Sequence, residues 1–165
     1  MYQVGSHVIY GIQGVCKVAG TEIRKEKGKV TEYLILESME KTELRYYLPT
    51  NNEAAMGKLK AVLQPQEMIQ TLASDEIRKD CWIREENQRK QYYRDLISQG
   101  DRVSILRMIY SLYKHKHQQL ETGRKFHQCD DNFLRDAERL LSGEIALVLE
   151  LSDIAALEYL RKELT

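Results

Sequence analysis

The chain has 165 residues, of which 42% are hydrophobic and 30% are charged, a composition typical of a globular protein that excludes a disordered one. No stretch approaches the roughly 20 apolar residues that a transmembrane helix requires, and the initial Met-Tyr-Gln-Val-Gly lacks the basic and apolar regions of a secretory signal. The three cysteines are far apart in the sequence, so we expect free thiols and a cytoplasmic protein rather than a disulfide framework.

The first 64 residues carry the pattern of short strands separated by turns. Segments rich in β-branched and aromatic residues alternate with glycine-containing and lysine-rich turns. These segments span residues 7–10, 15–23, 30–37, 43–48 and 58–63. No helix between them is long enough for a crossover, so the strands are predicted to be antiparallel. We therefore expect a small five-stranded barrel of the SH3-like or Tudor-like kind.

After residue 64 the hydrophobic residues recur at the helical period. The residues that signal helix ends are, in chain order, Pro65, Gly100, Asp101, Asp130 or Asp131, and Ser152. The second helix is predicted for about residues 80–98. We expect an α+β chain with two small domains, a barrel at residues 1–64 and an all-α bundle of about four helices at residues 65–165.

The third predicted helix is apolar around most of its circumference, which is typical of the centre of a bundle. Its one polar stripe, expected to remain outside the bundle as a basic face, consists of Ser104, Arg107, Ser111, Lys114, His115 and Gln118. In the next helix, Gly143 lowers helix propensity by about 1 kcal/mol relative to alanine and suggests a close helix crossing.

Motifs for catalysis and metal binding are absent from the sequence. It contains no phosphate-cradling glycine loop, nucleophile elbow or zinc-protease helix. The pair His115 and His117 does not fit a metal site, because residues two apart on a helix point roughly 200° apart. We therefore expect no enzyme activity, no catalytic residues, no metal, no cofactor and no small-molecule substrate.

The net charge of zero hides an uneven distribution. Residues 102–128 contain six basic residues and one acidic residue, whereas residues 129–165 contain four basic and nine acidic ones. Nucleic-acid contacts are therefore expected between Trp82 and Lys125, where basic residues are interleaved with aromatic ones. The candidate contacts are Trp82, Arg84, Arg89, Lys90, Arg94, Arg107, Lys114, Lys116, Arg124 and Lys125. The alternative is an ordinary solvated helix face.

Trp82 is the only tryptophan of the chain and stands at the head of a highly charged segment. A large flat ring followed by basic residues is suited to stacking against or wedging between bases. The alternative is that the ring staples its helix onto a neighbouring helix.

Several short segments together resemble a known family. Those in the first half are Val4-Gly5, Val8-Ile9-Tyr10, Gly14-Val15, Tyr33-Leu34-Ile35-Leu36 and Leu48-Pro49. They resemble the RNA-polymerase-interacting domain of the bacterial CarD family, also called CdnL. Those in the second half are Trp82, Ser98-Gln99-Gly100-Asp101, Leu112-Tyr113-Lys114 and residues 138–147. They resemble the helical domain of the same family.

This resemblance implies a transcription regulator without catalytic activity. Its Tudor-like domain would dock on the RNA polymerase β subunit, and its helical domain would reach promoter DNA at the upstream edge of the melted bubble. Family members wedge an exposed tryptophan into the minor groove there, and Trp82 is the matching residue. No membrane contact is implied. The competing hypothesis is a module that binds nucleic acid without polymerase.

The resemblance also assigns the polymerase contacts. Arg24 matches a family contact position, and the expected contacts are Arg24, Lys25, Arg45 and Tyr47, beside an exposed strand edge. Tyr47 departs from the family pattern, which has an arginine there. Asp131 and Asp136 also depart, because some relatives carry basic residues near these positions. That departure moves the expected phosphate contacts towards Lys114, Lys116, Arg124 and Lys125, and we expect weak net affinity for DNA.

Overall fold

The computed structural model describes residues 2–165 and divides the chain into two units. The first unit ends at Val62, and the second runs from Leu63 to Thr165. The boundary expected after residue 64 lies close to this division. Each unit has its own cluster of buried apolar side chains, so each is described by itself.

The first unit is a five-stranded antiparallel sheet. Its strands are β1 (His7–Tyr10), β2 (Val15–Glu26), β3 (Lys29–Ser38), β4 (Arg45–Pro49) and β5 (Leu59–Ala61). Their order across the sheet is β4-β3-β2-β1-β5. The prediction of five antiparallel strands is therefore confirmed.

All five strands contribute to one apolar core. Its buried residues are Val8, Cys16, Val18, Leu34, Leu36, Leu48 and Leu59. Because the outer strands β4 and β5 both supply side chains to this cluster, the sheet has to curl around it, as in a small barrel. A register shift between Val18 and Gly20 in β2 provides local bending.

The hairpin formed by β2 and β3 is longer than predicted. Its strands meet at a two-residue turn, Lys27-Gly28, with φ of 49° and 78°, which suits the right-handed twist of a tight hairpin. Strand pairing continues to Glu26 and Lys29, beyond the predicted ends at residues 23 and 30. The charged residues near the turn obscured the strand pattern, because this part of the hairpin is exposed on both faces.

The second unit is helical, and the first unit also contains one short helix. They are α1 (Glu53–Met56), α2 (Pro65–Ala73), α3 (Glu86–Gln99), α4 (Arg102–Glu121), α5 (Gln128–Val148) and α6 (Asp153–Leu164). The expected α+β layout, with a sheet followed by helices, is confirmed.

Most of the predicted helix ends are confirmed by hydrogen bonds. Pro65 occupies the first turn of α2, and Gly100 ends α3 in the left-handed conformation with φ of 69°. The side chains of Asp101 and Ser152 accept hydrogen bonds from Ser104 N–H and Ala155 N–H at the starts of α4 and α6.

Two predicted helix starts were wrong. Helix α3 begins at Glu86 rather than near residue 80, since Glu85 caps it by accepting a hydrogen bond from Gln88 N–H. Helix α5 begins at Gln128, so Asp130 and Asp131 lie in its first turn and do not cap it. Acidic side chains in that position still favour the helix because they face its positive end.

The core of the second unit is built around α4, as its apolar circumference predicted. Ile105, Leu106, Met108, Ile109 and Leu112 of α4 are all buried. They belong to one cluster that also contains buried residues of α2, α3, α5 and α6.

The close helix crossing expected at Gly143 is absent. A Cβ atom added there would have no non-neighbouring heavy atom within 4 Å. The glycine therefore reflects no packing constraint that the structure displays.

Candidate functional site

Part of the polar stripe of α4 is not left outside, as the sequence suggested, but supports an irregular segment that contains Trp82, whereas Lys114 and Gln118 are exposed. We call residues 75–85 the Trp82 segment. Arg107 donates through Nε to Glu76 O at 2.9 Å, and Cys81 N–H donates to Ser111 Oγ at 2.7 Å. Ser111 is completely buried as a result. This part of the stripe is therefore a binding surface for the chain itself.

Asp80 adds a charged contact between the Trp82 segment and α4. Its Oδ2 lies 2.9 Å from His115 Nε2 and 3.5 Å from Lys114 Nζ, and its Oδ1 accepts a hydrogen bond from Trp82 N–H at 3.0 Å. Partial burial by itself raises the pKa of Asp80, but the hydrogen bonds from His115 and Trp82 outweigh it and hold the pKa below its usual value. A carboxylate is thus fixed directly beside the tryptophan.

The Trp82 ring is partly buried and packs against the core of its unit. The His115 ring stacks on it at 4.1 Å between centroids and 11° between planes. The guanidinium carbon of Arg89 lies 4.1 Å from the indole centroid, and Phe126 lies 6.5 Å away. Two planar groups at these distances would overlap on one face, so His115 and Arg89 cover opposite faces.

The family resemblance implied an exposed tryptophan, and this environment corrects that expectation. Trp82 does staple its segment onto the helices, in agreement with the alternative interpretation of its position. Because the ring is only partly buried, part of it still reaches solvent. Because both faces of the ring are covered, the part that reaches solvent is an edge.

Arg89 is a buried structural residue, which corrects its assignment as a phosphate contact. It is 3% exposed and forms a two-point ion pair with Asp130, with Nε to Oδ1 at 2.9 Å and NH2 to Oδ2 at 2.7 Å. Its NH1 donates to the carbonyl oxygens of Ile83 and Arg84 at 3.0 and 3.4 Å. Burial opposes the charge of Arg89, but the bonds to Asp130 outweigh it and raise the pKa.

The other basic candidates fall into two groups. Four are in ion pairs: Lys90 with Glu86, Arg107 with Glu76, Lys114 with Asp80, and Lys116 with Asp131. Four are exposed and have no ion pair within residues 2–165: Arg84, Arg94, Arg124 and Lys125. The second group is the one that phosphates reach without competition from a carboxylate.

Five of the basic candidates are close in the chain to Trp82 or to His115 and Phe126, whose rings lie near it, and we call them the basic rim. They are Arg84, Lys114, Lys116, Arg124 and Lys125. Arg84 is two residues from Trp82 in the chain, and Lys114 and Lys116 adjoin His115. Lys116 Nζ lies 5.8 Å from the Phe126 ring, and Arg124 and Lys125 directly precede Phe126.

The remaining candidates are placed differently. Lys90 and Arg94 are four residues apart and therefore share a face of α3, turned away from the buried side chain of Arg89. Arg107 lies eight residues before His115 on α4, which corresponds to about 12 Å along the helix axis. These three residues are therefore not counted in the basic rim.

Three of the four residues expected to contact polymerase share the outer face of the sheet. The Arg24 guanidinium carbon lies 5.3 Å from the Tyr33 ring centroid and 4.7 Å from that of Tyr47. Arg45, two residues before Tyr47, pairs with Glu37 at 2.7 Å. Arg24 is therefore held in an aromatic setting in which Tyr47 takes part. Lys25, on the opposite face of the hairpin, is exposed.

Sequence reasoning missed the residues that hold Trp82. The positions of Asp80, Ser111 and Asp130 in the sequence gave no sign that they contact this segment. The polar stripe of α4 was visible, but a polar stripe on a core helix is equally compatible with solvent and with a polar segment of the same chain.

No group of three or more His, Cys, Asp and Glu side chains within residues 2–165 has a metal-binding arrangement. His115 lies against Asp80, and His117 contacts Glu121 on the same helix. Across those residues, no helix combines the length and the apolar character needed to cross a membrane.

Comparison with known proteins gives a match within the first unit. Residues 2–60 match the family model described as the CarD-like/TRCF RID domain. The matched residues cover β1 to β4 and reach into β5, and the helical unit lies outside them. The curated proteins include no match to the chain.

Proposed function

Because residues 2–60 match the CarD-like/TRCF RID domain, a domain of RNA-polymerase-interacting transcription factors, we propose that this protein regulates transcription by stabilising the promoter open complex. It has no catalytic activity of its own and works in the bacterial cytoplasm, where polymerase is found. The family match at residues 2–60 is the observation that carries the proposal.

Docking takes place on the β subunit of RNA polymerase. Strand β4 is an outer strand of the sheet, so its unpaired edge is available to a strand of the partner. Arg24, Tyr33 and Tyr47 lie beside this edge and supply charge and aromatic surface. Main-chain hydrogen bonds give affinity in such an arrangement, and the flanking side chains select the partner.

The second unit acts on promoter DNA at the upstream edge of the bubble. The exposed edge of Trp82 enters the widened minor groove, and the basic rim contacts phosphates on either side. Unstacking a base step costs a few kcal/mol, and contact of the exposed indole edge with the parted strands offsets part of that free energy. The protein therefore shifts the population towards the open complex, while polymerase supplies most of the melting.

The proposed role of Trp82 in the minor groove predicts that Trp82→Ala shortens the lifetime of the open complex. The variant should keep its affinity for polymerase, since docking belongs to the first unit. The lifetime is measured on a responsive promoter after challenge with a competitor. Trp82→Phe, which keeps a smaller apolar ring, is expected to retain part of the effect. A wild-type lifetime in Trp82→Ala would contradict the wedge.

The docking step predicts that Arg24→Glu abolishes co-purification with the polymerase β subunit. Charge reversal replaces a guanidinium held by two aromatic rings with a carboxylate that those rings repel. Lys162→Glu, an identical change of charge at an exposed position of α6, is the control and should co-purify normally. Normal co-purification of Arg24→Glu would remove Arg24 from the interface.

The competing hypothesis is a module that binds nucleic acid without polymerase. Filter binding at physiological salt distinguishes it from the proposed function. Among residues 2–165, three of the five basic-rim residues have no ion-pair partner, while Asp80 and Asp131 neutralise the other two. We expect negligible affinity for naked duplex DNA. Tight, salt-sensitive binding in the absence of polymerase would favour the competing hypothesis.

A further inference from the structure

The contacts of Arg89 suggest a role that its charge alone does not explain. A buried ion pair is seldom a net source of stability, because the loss of hydration offsets most of the attraction between the charges. Arg89 and Asp130 are nevertheless 3% and 1% exposed. A buried pair of this kind can instead contribute specificity, because it selects one geometry among the several that an apolar contact would allow.

The geometry that Arg89 defines is that of the Trp82 segment. Its guanidinium joins Asp130 on α5 to the carbonyl groups of Ile83 and Arg84. Its guanidinium carbon lies 4.1 Å from the indole centroid. One planar group thus connects a helix, the irregular backbone just after Trp82, and the ring itself.

We propose that Arg89 is the positioning residue of Trp82, holding the indole so that only its edge is presented to DNA. This inference rests on the proposed function. It also reassigns Arg89 from a DNA contact to a residue that acts through another residue. Preorganisation of this kind spares the complex the entropy of ordering a large side chain at the moment of binding.

The test uses Arg89→Lys in the full-length chain. Lysine keeps the positive charge but lacks the fork that pairs with both carboxylate oxygens and with two carbonyl groups at once. Because Trp82 is the only tryptophan, fluorescence emission reports on this ring alone. We expect the folded variant to show a red shift of the emission, stronger quenching by acrylamide and a lower anisotropy than the wild type.

The matched control is Arg102→Lys. Arg102 also forms a two-point pair within the second unit, with Glu144, at 2.6 and 2.5 Å. It precedes His115 by 13 residues, or about 20 Å along α4. Its replacement should lower the thermal midpoint without changing the Trp82 emission or its quenching. A folded Arg89→Lys with wild-type emission and quenching would overturn the proposal.

If Arg89→Lys fails to fold, the fluorescence of Trp82 in the wild-type protein tests the proposal. A held ring resists acrylamide and reorients only with its whole unit, whereas quenching equal to that of a free indole derivative would overturn the proposal. Circular dichroism establishes which variants are folded.

The lifetime of the open complex separates this inference from the proposed function. Arg89→Lys is expected to shorten it towards the value of Trp82→Ala. A wild-type lifetime in Arg89→Lys, with a loosened ring and a shortened lifetime in Trp82→Ala, would overturn the positioning role alone. A wild-type lifetime in Trp82→Ala would remove the wedge, and the fluorescence result would still decide whether Arg89 holds the ring.

Discussion

Single side chains of the second unit show how much depends on whether a buried polar group finds a partner. Tyr93 and Tyr113 both have a pKa raised by burial. Tyr113 Oη donates to Glu138 Oε2 at 2.6 Å, whereas the hydroxyl of Tyr93 has no hydrogen-bond partner within the described residues. The buried hydroxyl of Tyr113 is therefore hydrogen-bonded, whereas within the described residues no hydrogen bond offsets the burial of the Tyr93 hydroxyl.

This contrast predicts opposite results for the same substitution. Tyr93→Phe should leave the free energy of unfolding unchanged or raise it by up to about 1 kcal/mol, because an unpaired hydroxyl leaves the core. Tyr113→Phe should lower it by about 1–2 kcal/mol, since a hydrogen bond to a carboxylate is lost while Arg161 remains on Glu138. Urea denaturation of the two variants is the measurement. A marked destabilisation by Tyr93→Phe would mean that its hydroxyl has a partner in solution.

Among the elements, helix ends and glycines behave according to local backbone geometry. Gly100 ends α3 with φ of 69°, a conformation that disfavours any residue with a Cβ. Gly143 lies inside α5 with helical geometry and with open space where a Cβ would be. The first glycine is required by the backbone, and the second is not.

Gly143→Ala is therefore expected to raise the free energy of unfolding by about 1 kcal/mol, the difference in helix propensity. Gly100→Ala, the matched control, should lower it by about 1 kcal/mol because alanine is strained in the left-handed region. Thermal or urea unfolding measures both. A destabilised Gly143→Ala would show that this position tolerates no added methyl group, contrary to the space seen around it.

For the molecule as a whole, two separate cores imply two folding units. The apolar cluster of the second unit draws on every helix from α2 to α6, and that of the first unit draws on all five strands. A unit that buries its own apolar side chains has most of what it needs to fold alone.

A fragment of residues 63–165 is accordingly expected to unfold in one cooperative transition with helical circular dichroism. A shorter fragment, residues 80–165, is the control. It lacks α2 and the buried Met68, Leu72 and Ile77, and we expect it to lose cooperativity because their removal opens the core. Non-cooperative melting of the longer fragment would contradict independent folding.

Local patterns in the sequence were sufficient for the order and type of the elements. Strand alternation, the helical period, and the capping residues Asp101 and Ser152 act over a few neighbouring positions, so their effect can be read without knowing what lies across the fold. The family resemblance of the first half was visible in the same way, and the match at residues 2–60 agrees with it.

Tertiary structure alone decided what surrounds Trp82. Arg89 looked like an exposed basic residue, yet it is buried against Asp130, 41 positions later, and the stripe of α4 that suggested a solvent face supports the Trp82 segment. The charge of a side chain is a property of the sequence. Whether that charge meets water, a phosphate or a carboxylate depends on partners distant in the chain, which only the folded molecule brings together.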